Sequence, residues 1–500
     1  MPPKPPHIGH GPATWYGSRY IIPHKEAALF DWQALAASAT ALGVLGLAVY
    51  SAGHAVIYKR DTRAVIAWVG LIMLLPLLGS VLYWLLGVNR IARQARALRP
   101  DVLHRESAPV NGAVQVAERW QRLARAGDAL SPFNLLAGNH VQALINGEQA
   151  YPAMLKAIEE ARASVCLSTY IFDHDPAGRE FIDALVAAAS RGVAVRVLVD
   201  GVGARYSRRS VVRELRSRGV PAQLFLPMHL PRSLAVFNLR NHRKLLIVDG
   251  AIGFTGGMNI REGHRRRAPY PYAIQDIQFQ LRGPVVVQMQ TIFNEDWHFT
   301  CGEHLFGEAF FPPLEPAGQA LVRGVVDGPD EHRDPLRQLM HTALAEARER
   351  VVVITPYFLP DDVLMSALNA AALRGVRVDI LLPARNNHVL VHWASQALHW
   401  QLLERGCHIW FTPPPFDHSK LLLVDDHWLL MGSANWDPRS LRLNFEFDME
   451  CYDEVLGQQL AAWVDERLAE ARPLTLQEAD QRSLPIRLRD GTARLLTPYL

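Results

Sequence analysis

The sequence has few of the features that mark disulfide-rich, metal-binding or nucleic-acid-binding proteins. Its 500 residues include only four cysteines, and their positions lack the paired spacing of a disulfide framework or a metal site. They are Cys166, Cys301, Cys407 and Cys451, which we interpret as buried thiols in a reducing compartment. The net charge of +3 is too small to indicate a nucleic-acid partner by itself.

Lysine is also scarce, with six lysines against 46 arginines. Two of the six, Lys244 and Lys420, lie in a pattern that the chain contains twice. Because arginine is the default cation of this sequence, lysine at these two places indicates that a compact point charge is required.

The repeated pattern is HxKx4Dx6GxxN, and its two copies align without a gap at an offset of 176 residues. It supplies His242, Lys244, Asp249 and Asn259 in the first copy and His418, Lys420, Asp425 and Asn435 in the second. A single HxKx4D match is expected by chance in roughly one such chain in a hundred, but two matching copies with GxxN are not. We therefore assign the pattern to a functional site.

Each copy places its histidine and lysine two residues apart, which is the spacing of side chains on one face of a strand. The four apolar residues that follow predict the buried continuation of that strand. The glycines allow the backbone to approach a ligand, and Asn259 and Asn435 can donate N–H groups to it. Ser433, where the first copy has Gly257, adds a hydroxyl for the phosphate from one half only.

Two such halves face to face would surround one phosphate with two imidazoles and two ammonium groups, which suits phosphodiester exchange without a metal or other cofactor. One neutral histidine can attack phosphorus and form a phosphohistidine. The other can protonate the leaving alkoxide and deprotonate the incoming hydroxyl. Lysine and asparagine would balance the charge on the phosphoryl oxygens. Asp249 and Asp425 either share in this chemistry or only orient neighbours and cap a turn.

Helical and extended patterns alternate in the same order in both halves. In the first half they predict helix 151–162, strand 165–172, helix 179–191 and strand 193–199, and in the second helix 336–348, strand 351–358, helix 363–374 and strand 376–382. This alternation predicts α/β sandwiches with helices on the sheet faces. The duplication predicts two pseudo-symmetric domains, 133–320 and 321–500, with the active site at their interface.

The N-terminal part contains two runs of about 25 residues without Asp, Glu, Lys or Arg, Ala34–Tyr58 and Ala64–Val88. Each is long enough to cross a bilayer, so we expect a transmembrane hairpin over 34–88. It would follow an N-terminal segment, 1–33, and precede a basic linker, 89–132. A signal peptide and a buried soluble hairpin are the alternatives.

The charges around the two runs favour a catalytic part in the cytoplasm. The positive residues outside the hairpin are Lys4, Arg19 and Lys25 before it and Arg90, Arg93, Arg96 and Arg99 after it. By the positive-inside rule these ends lie on the cytoplasmic side. The connector, with Lys59, Arg60 and Arg63, argues for the reverse orientation or for a hairpin that does not cross fully.

The paired motif resembles that of the phospholipase D superfamily, and the whole chain resembles its bacterial cardiolipin synthases. The softer similarity includes Gly283-Pro284-Val285, Asn294-Glu295-Asp296-Trp297, Pro356-Tyr357-Phe358 and Asn444-Phe445-Glu446. The resemblance implies an enzyme of the bacterial inner membrane that acts on phosphatidylglycerol and other phospholipids. The sequence leaves its oligomeric state open.

The resemblance also implies residue roles. His242 would be the nucleophile and His418 the acid and base, although the symmetry of the motifs does not fix this order. Glu446 and Asp276 would each accept a hydrogen bond from a catalytic imidazole and fix its tautomer. For Asp276 a surface strand residue is the alternative.

Three other functions use the same scaffold. A membrane phospholipase D would give the phosphatidyl group to water and release phosphatidic acid. A nuclease would need an extended basic surface, which the near-neutral charge does not supply. A non-catalytic lipid-binding scaffold is disfavoured because both motifs are intact.

Overall fold

The computed structural model describes residues 1, 3–4, 32–59, 62–87, 114–227, 239–265, 273–329 and 334–497. Most of the predicted N-terminal segment and the first part of the basic linker (89–113), with its five arginines, lie outside these residues. The chain forms two compact units, residues 1–89 and 90–500.

The N-terminal unit contains helices α1 (Trp32–Tyr58), α2 (Thr62–Leu74) and α3 (Pro76–Leu82), followed by a π-helical turn, Tyr83–Gly87. Helix α1 packs against both α2 and α3. Two side-chain hydrogen bonds connect α1 to the π-helical turn: His54 Nδ1 lies 2.7 Å from the Tyr83 hydroxyl, and the Trp84 indole donates to Ser51 Oγ at 2.8 Å.

The second apolar run is not one continuous helix. Its backbone leaves helical geometry at Leu75 (φ −133°, ψ 75°), because Pro76 disfavours helical angles in the residue before it. Among the described residues, only Leu35–Tyr58 forms a helix that is long and apolar enough to cross a membrane. The two-helix transmembrane hairpin therefore stays a prediction.

The larger unit is organised around one extended sheet. Its strands in the first half are β1 (Leu136–Ile145), β2 (Ser164–Thr169), β3 (Ala194–Asp200), β4 (Ala222–Phe225), β5 (Arg240–Asn241), β6 (Leu245–Val248), β7 (Ile252–Gly256), β8 (Ile274–Gln275) and β9 (Ile277–Arg282). Those in the second half are β10 (Ala320–Asp327), β11 (Arg350–Ile354), β12 (Arg377–Pro383), β13 (His408–Thr412), β14 (Phe416–Asp417), β15 (Leu421–Val424), β16 (Trp428–Gly432), β17 (Asn444–Tyr452) and β18 (Arg472–Leu474). Strands β8 and β14 form a separate small pair.

Helices connect these strands. The linker contains α4 (Gln121–Leu130), and the first half contains α5 (Asn146–Glu160), α6 (Pro176–Ser190), α7 (Val211–Ser217) and α8 (Val286–Cys301). The second contains α9 (Pro335–Glu346), α10 (Asp362–Leu373), α11 (Val389–Gln396), α12 (His399–Leu403), α13 (Glu454–Glu470), α14 (Leu476–Asp480) and α15 (Leu484–Leu495). Helix α4, from the end of the predicted linker, packs on α9 of the second half.

The strand order shows the internal repeat. From one edge to the other it is β18-β13-β12-β11-β15-β16-β17-β10-β1-β9-β7-β6-β2-β3-β4. Outward from the β1–β10 pair, the first half has the order β1-β9-β7-β6-β2-β3-β4. The second half has the equivalent order β10-β17-β16-β15-β11-β12-β13. Strands β2, β3 and β4 are parallel, as are β11, β12 and β13, with helical crossovers between them.

One hydrophobic core joins the two halves. It contains buried residues of α8 and α13 together with one face of the central strands, whereas each half has a further core under its other helices. The prediction of a mixed α/β fold with two repeated domains is confirmed. The predicted helices and strands are observed with shifts of one to five residues at their ends.

Two predictions about local structure are wrong. His242 and Lys244 lie between β5 and β6, because β5 pairs with β17 of the other half whereas β6 pairs with β2 and β7. The chain changes its pairing partner across residues 242–244, so no continuous strand forms there. Cys301 is exposed at the end of α8, whereas the other three cysteines are buried.

Candidate active site

Each half extends a short strand into the other half directly before the histidine of its repeated motif. Strand β5 pairs with the start of β17, and the His242 N–H donates to the Phe445 carbonyl at 3.0 Å. Strand β14 pairs with β8, and the His418 N–H donates to the Gln275 carbonyl at 2.8 Å. The backbone of each histidine is therefore held by the opposite half.

Ion pairs to two helices hold these exchanged strands. In the first half, Asp296 on α8 accepts from the Arg243 guanidinium at 2.7 Å and from the Asn241 amide at 2.9 Å. In the second half the charges are reversed: Arg467 on α13 forms an ion pair with Asp417. Helices α8 and α13 thus have equivalent supporting roles with opposite charges.

The carboxylates cross between the halves in the same way. His242 Nδ1 lies 3.0 Å from Glu446 Oε2, and His418 Nδ1 lies 2.8 Å from Asp276 Oδ2. Both carboxylates are buried. With Nδ1 of each ring held in this way, Nε2 is the nitrogen that can reach a substrate.

The two carboxylates differ in their surroundings. Glu446 also accepts hydrogen bonds from Ser433 Oγ at 2.5 Å and Asn444 Nδ2 at 3.0 Å. Burial raises the pKa of Glu446, but the attraction of His242 and the hydrogen bonds outweigh it, so that the pKa lies below its usual value. For Asp276, burial dominates and raises the pKa to about 6.

The two lysines lie beside the histidines. Lys244 Nζ donates to the His242 carbonyl at 2.5 Å, and Lys420 Nζ lies 3.0 Å from His418 Nδ1 and also donates to the His418 carbonyl. Burial lowers the pKa of Lys244 to about 7 and that of Lys420 to about 8. Binding an anion would offset this cost and restore their positive charge.

The imidazoles are electrostatically coupled across the interface. Burial lowers the pKa of His242, with Lys244 and Lys420 adding to the effect and Glu446 opposing it. Burial and the two lysines hold the pKa of His418 well below its usual range. Without substrate both rings are therefore neutral at pH 7, and an anionic phosphate between them would favour protonation.

The structure does not bring the two motif aspartates to the histidines. Asp249 accepts hydrogen bonds from the backbone N–H groups of Arg162, Ala163 and Ser164, and Asp425 does the same at Arg348, Glu349 and Arg350. The four residues of β6 separate Asp249 from Lys244, and an extended chain of this length spans about 16 Å between the two Cα atoms. Of the two roles left open by the sequence, this geometry favours a structural one.

The polar residues of the GxxN segment surround the site in different ways. Asn259 Oδ1 accepts from the Ile171 N–H at 3.0 Å, and Asn435 Nδ2 lies 3.2 Å from Ser440 Oγ. Ser433 is buried, and its hydroxyl contacts Glu446 and the Phe447 backbone. This placement favours an indirect role for Ser433, behind the carboxylate, over the direct phosphate contact expected from the sequence.

The structure adds two aromatic residues that motif spacing did not identify as site residues. The Tyr170 ring lies edge-on to His242 at 5.2 Å between centroids, and Tyr357 has the same relation to His418 at 6.3 Å. Strand β2 ends at Thr169, where the hydroxyl lies 3.0 Å from the Ile171 carbonyl. This turn carries Tyr170 to the site.

The two halves also differ in one buried acid. Asp448 lies two residues after Glu446 on β17, whereas Gln278 lies two residues after Asp276 on β9. Burial and the nearby Glu446 raise the pKa of Asp448 to about 8. Together with Lys420 and Asn435 it lines a cavity of about 10 Å³, the size that one water molecule requires.

Comparison with known families gives two matches along the chain. Residues 154–297 and 340–468 match the family described as cardiolipin synthase, phospholipase D-like domain. Residues 46–87 match the family described as phospholipase D-nuclease N-terminal. The first match includes one segment from each half, and each segment contains one histidine motif.

Curated relatives match over nearly their whole length. A cardiolipin synthase of Geobacillus sp. (strain WCH70) is 31% identical over 451 residues, which cover 88% of this chain and 90% of the relative. Cardiolipin synthase A of Pseudomonas putida (strain GB-1) is 31% identical over 463 residues, which cover 91% and 96%. The crystal structure of a phosphatidylserine synthase from Haemophilus influenzae shares the fold, with a TM-score of 0.59 at 15% identity over 76% of this chain and 100% of that one.

Proposed function

We propose a reaction for this chain from one established premise: it belongs to the cardiolipin synthase family with phospholipase D-like domains. The chain transfers a phosphatidyl group from one phosphatidylglycerol to a second, giving cardiolipin and glycerol. The observation that carries this proposal is the crossed pair of histidine–carboxylate hydrogen bonds, His242 with Glu446 and His418 with Asp276.

In the first step, the neutral His242 attacks phosphorus through Nε2. His418 is protonated once the anionic phosphate is bound. A nitrogen–phosphorus bond forms as the bond to the glycerol oxygen breaks, and His418 gives its proton to that oxygen. Lys244 and Lys420, buried on either side, balance the charge of the phosphoryl oxygens. Glycerol leaves, and the phosphatidyl group stays on His242.

In the second step, a glycerol hydroxyl of another phosphatidylglycerol attacks phosphorus. His418 takes the proton of this hydroxyl as the nitrogen–phosphorus bond breaks. One phosphodiester replaces another, and both histidines return to their initial states. The exchange therefore requires no nucleotide and no metal.

The difference between the carboxylates supports this order of roles. His242 itself, Lys244 and the Ser433 hydrogen bond hold the pKa of Glu446 below its usual value, so Glu446 stays ionised and stabilises the positive charge that His242 acquires when it carries phosphorus. The higher pKa of Asp276 makes the His418 pair the better proton shuttle, since a proton can leave and return at little cost near neutral pH.

We further propose roles for the remaining residues: the asparagines keep the role expected from the sequence, and Ser433 has an indirect one instead of direct phosphate contact. Asn259 and Asn435 donate to the phosphate, and Ser433 acts on it through Glu446. Domain boundaries at 133–320 and 321–500 place one histidine motif in each domain. Asp249 and Asp425 fix the strand ends that carry the two motifs.

For the N-terminal unit we propose a two-helix transmembrane hairpin over 34–88 in the bacterial inner membrane, with the catalytic part in the cytoplasm. Helix α1 has the length to cross, and the broken second segment crosses as α2, α3 and the π-helical turn together. The His54–Tyr83 and Trp84–Ser51 hydrogen bonds support this, because polar groups inside a bilayer require partners.

Product analysis tests the reaction. Purified full-length protein in mixed lipid–detergent micelles receives isotope-labelled phosphatidylglycerol, and mass spectrometry follows the products of wild type, His242→Ala and His418→Ala. We expect labelled cardiolipin with equimolar glycerol from wild type and from neither variant. Phosphatidic acid without cardiolipin would contradict the proposal and identify a hydrolase.

A further inference from the structure

Two packed helices at the surface of the second half carry an apolar stripe that points outward. Helices α11 (Val389–Gln396) and α15 (Leu484–Leu495) contact each other through the Arg489 guanidinium, 4.5 Å from the centre of the Trp393 ring. Arg482, just before α15, donates to the Gln396 carbonyl at 2.9 Å. The two helices therefore run antiparallel.

The buried face of α15 is not its most apolar face. Asp490 and Ala493 point inward, and Asp490 is paired with Arg482 and Arg489. Leu484, Leu488 and Leu495 lie on the opposite side with exposed fractions of 67%, 61% and 77%. Their spacing of four and seven residues places them in one stripe. A helix that only covers a soluble core would have the reverse arrangement.

Positive charge borders this stripe. Arg487 and Arg494 each precede a stripe leucine by one residue, and both are exposed. Since successive helical residues are 100° apart, both guanidinium groups lie on the same edge of the stripe. The acid of α15, Asp490, is buried and faces away. A leucine stripe beside arginines is the pattern of helices that lie in the interface of an anionic membrane.

The stripe is connected to the rim of the active site. Because α11 is antiparallel to α15, its exposed first residues, Val389 and Leu390, lie towards the Leu495 end. The preceding residue, His388, packs on Tyr357 at 5.2 Å between ring centroids, and Tyr357 packs on His418 at 6.3 Å. One aromatic ring therefore separates the start of α11 from a catalytic imidazole.

We propose that the surface formed by Leu484, Leu488, Leu495, Val389, Arg487 and Arg494 docks into the headgroup layer of an anionic bilayer. Docking there would hold the rim of the active site against the lipids whose phosphodiesters it exchanges. A second copy of this chain fits less well, because like-charged arginines would face each other.

A depth-sensitive label tests the proposal independently of catalysis. The full-length chain carries an environment-sensitive fluorophore on Leu488→Cys in a Cys301→Ser background, because the other cysteines are buried. It is reconstituted in vesicles of phosphatidylglycerol or of phosphatidylcholine. We expect a blue shift and quenching by shallow spin-labelled lipid, about twofold stronger in the anionic vesicles and weakened by high salt.

Val455→Cys provides a matched control. Val455 is 66% exposed on α13 but lies beside the acidic Glu454, so its label should stay in water. Replacing Arg487 and Arg494 with Gln should remove the preference of the Leu488 label for anionic lipid. Leu488 and Val455 labels with the same response would overturn the proposal. So would a Leu488 label that becomes buried in detergent as protein concentration rises, which would indicate a second copy.

An activity measurement separates docking from folding. Leu484→Glu combined with Leu488→Glu should lower turnover of long-chain phosphatidylglycerol in vesicles about tenfold, since charges oppose insertion of the stripe. Turnover of a short-chain phosphatidylglycerol below its micellar concentration should stay within about twofold of wild type, because that substrate needs no surface. Equal losses on both substrates would contradict a docking role.

Discussion

Replacing Glu446 with Gln removes a charge and leaves the shape of the site. The carboxylate lies 3.0 Å from His242 Nδ1 in a fully buried position. At an effective dielectric constant of about 20, two unit charges at that distance attract by about 5 kcal/mol. This attraction is gained when His242 becomes positively charged on binding phosphorus. Its loss corresponds to a rate decrease of about 10³- to 10⁴-fold, mostly in kcat.

The variant should still fold. The amide oxygen of Gln can accept from Ser433 as the carboxylate does. Asn444 can turn its amide, since its Oδ1 is buried without a hydrogen-bond partner in the part of the chain that the structure describes. We therefore expect the melting temperature of Glu446→Gln to stay within a few degrees of wild type.

The assay compares Glu446→Gln with Asp276→Asn, the same change in the other half, on two substrates. With phosphatidylglycerol, which releases an alkoxide, both variants should be slow. A phosphatidyl p-nitrophenyl ester has a leaving group that needs no proton. With this substrate, the rate of nitrophenolate release by Asp276→Asn should recover towards that of wild type, while the rate of Glu446→Gln should stay low. A folded Glu446→Gln that retains more than about a tenth of the wild-type rate would refute this reasoning.

Three further outcomes follow from the same contacts. The kcat/KM of wild type should fall as pH rises above about 7 to 8, because Lys244 and Lys420 lose charge there; a profile that is flat to about pH 9.5 would contradict this. The native state holds the Asp448 proton up to about pH 8 whereas the unfolded chain releases it near 3.8, so stability falls as pH rises between these values. Between pH 6 and 8, the free energy of unfolding from denaturant titrations should fall by about 2 to 3 kcal/mol less in Asp448→Asn than in wild type. Curves of unfolding free energy against pH that are parallel for the two proteins would contradict this. Ser433→Ala should lower kcat about tenfold with KM unchanged, since it loses a hydrogen bond to Glu446; a raised KM would instead favour direct phosphate contact.

The sequence was most informative where one local pattern determines one local structure. The alternation of helices and strands and the duplicated template predicted the two halves. Pro76 also predicts the break in the second apolar segment, because proline interrupts helices, whereas the length of the uncharged run alone does not.

The sequence was least informative where partners come from opposite halves. Glu446 and Asp276 were identified as candidate partners, but their spacing from the motifs does not show that each serves the histidine of the other half. That crossing depends on the exchange of β5 and β14 between halves, a long-range pairing that local periodicity does not encode.

One missed signal was present in β17. Glu446, Asp448 and Glu450 alternate along this strand with apolar or aromatic residues, which places all three acids on one face. All three are buried. Three buried acids on one face require partners, and this pattern alone pointed to a polar layer in the interior.

The most direct test of the central claim is to locate the covalent intermediate. His418→Ala, mixed with the phosphatidyl p-nitrophenyl ester and quenched in alkali, should release one equivalent of nitrophenolate in a burst and hold the phosphatidyl group on the peptide that contains His242. No burst, or an adduct on His418 when His242→Ala is treated in the same way, would contradict the account.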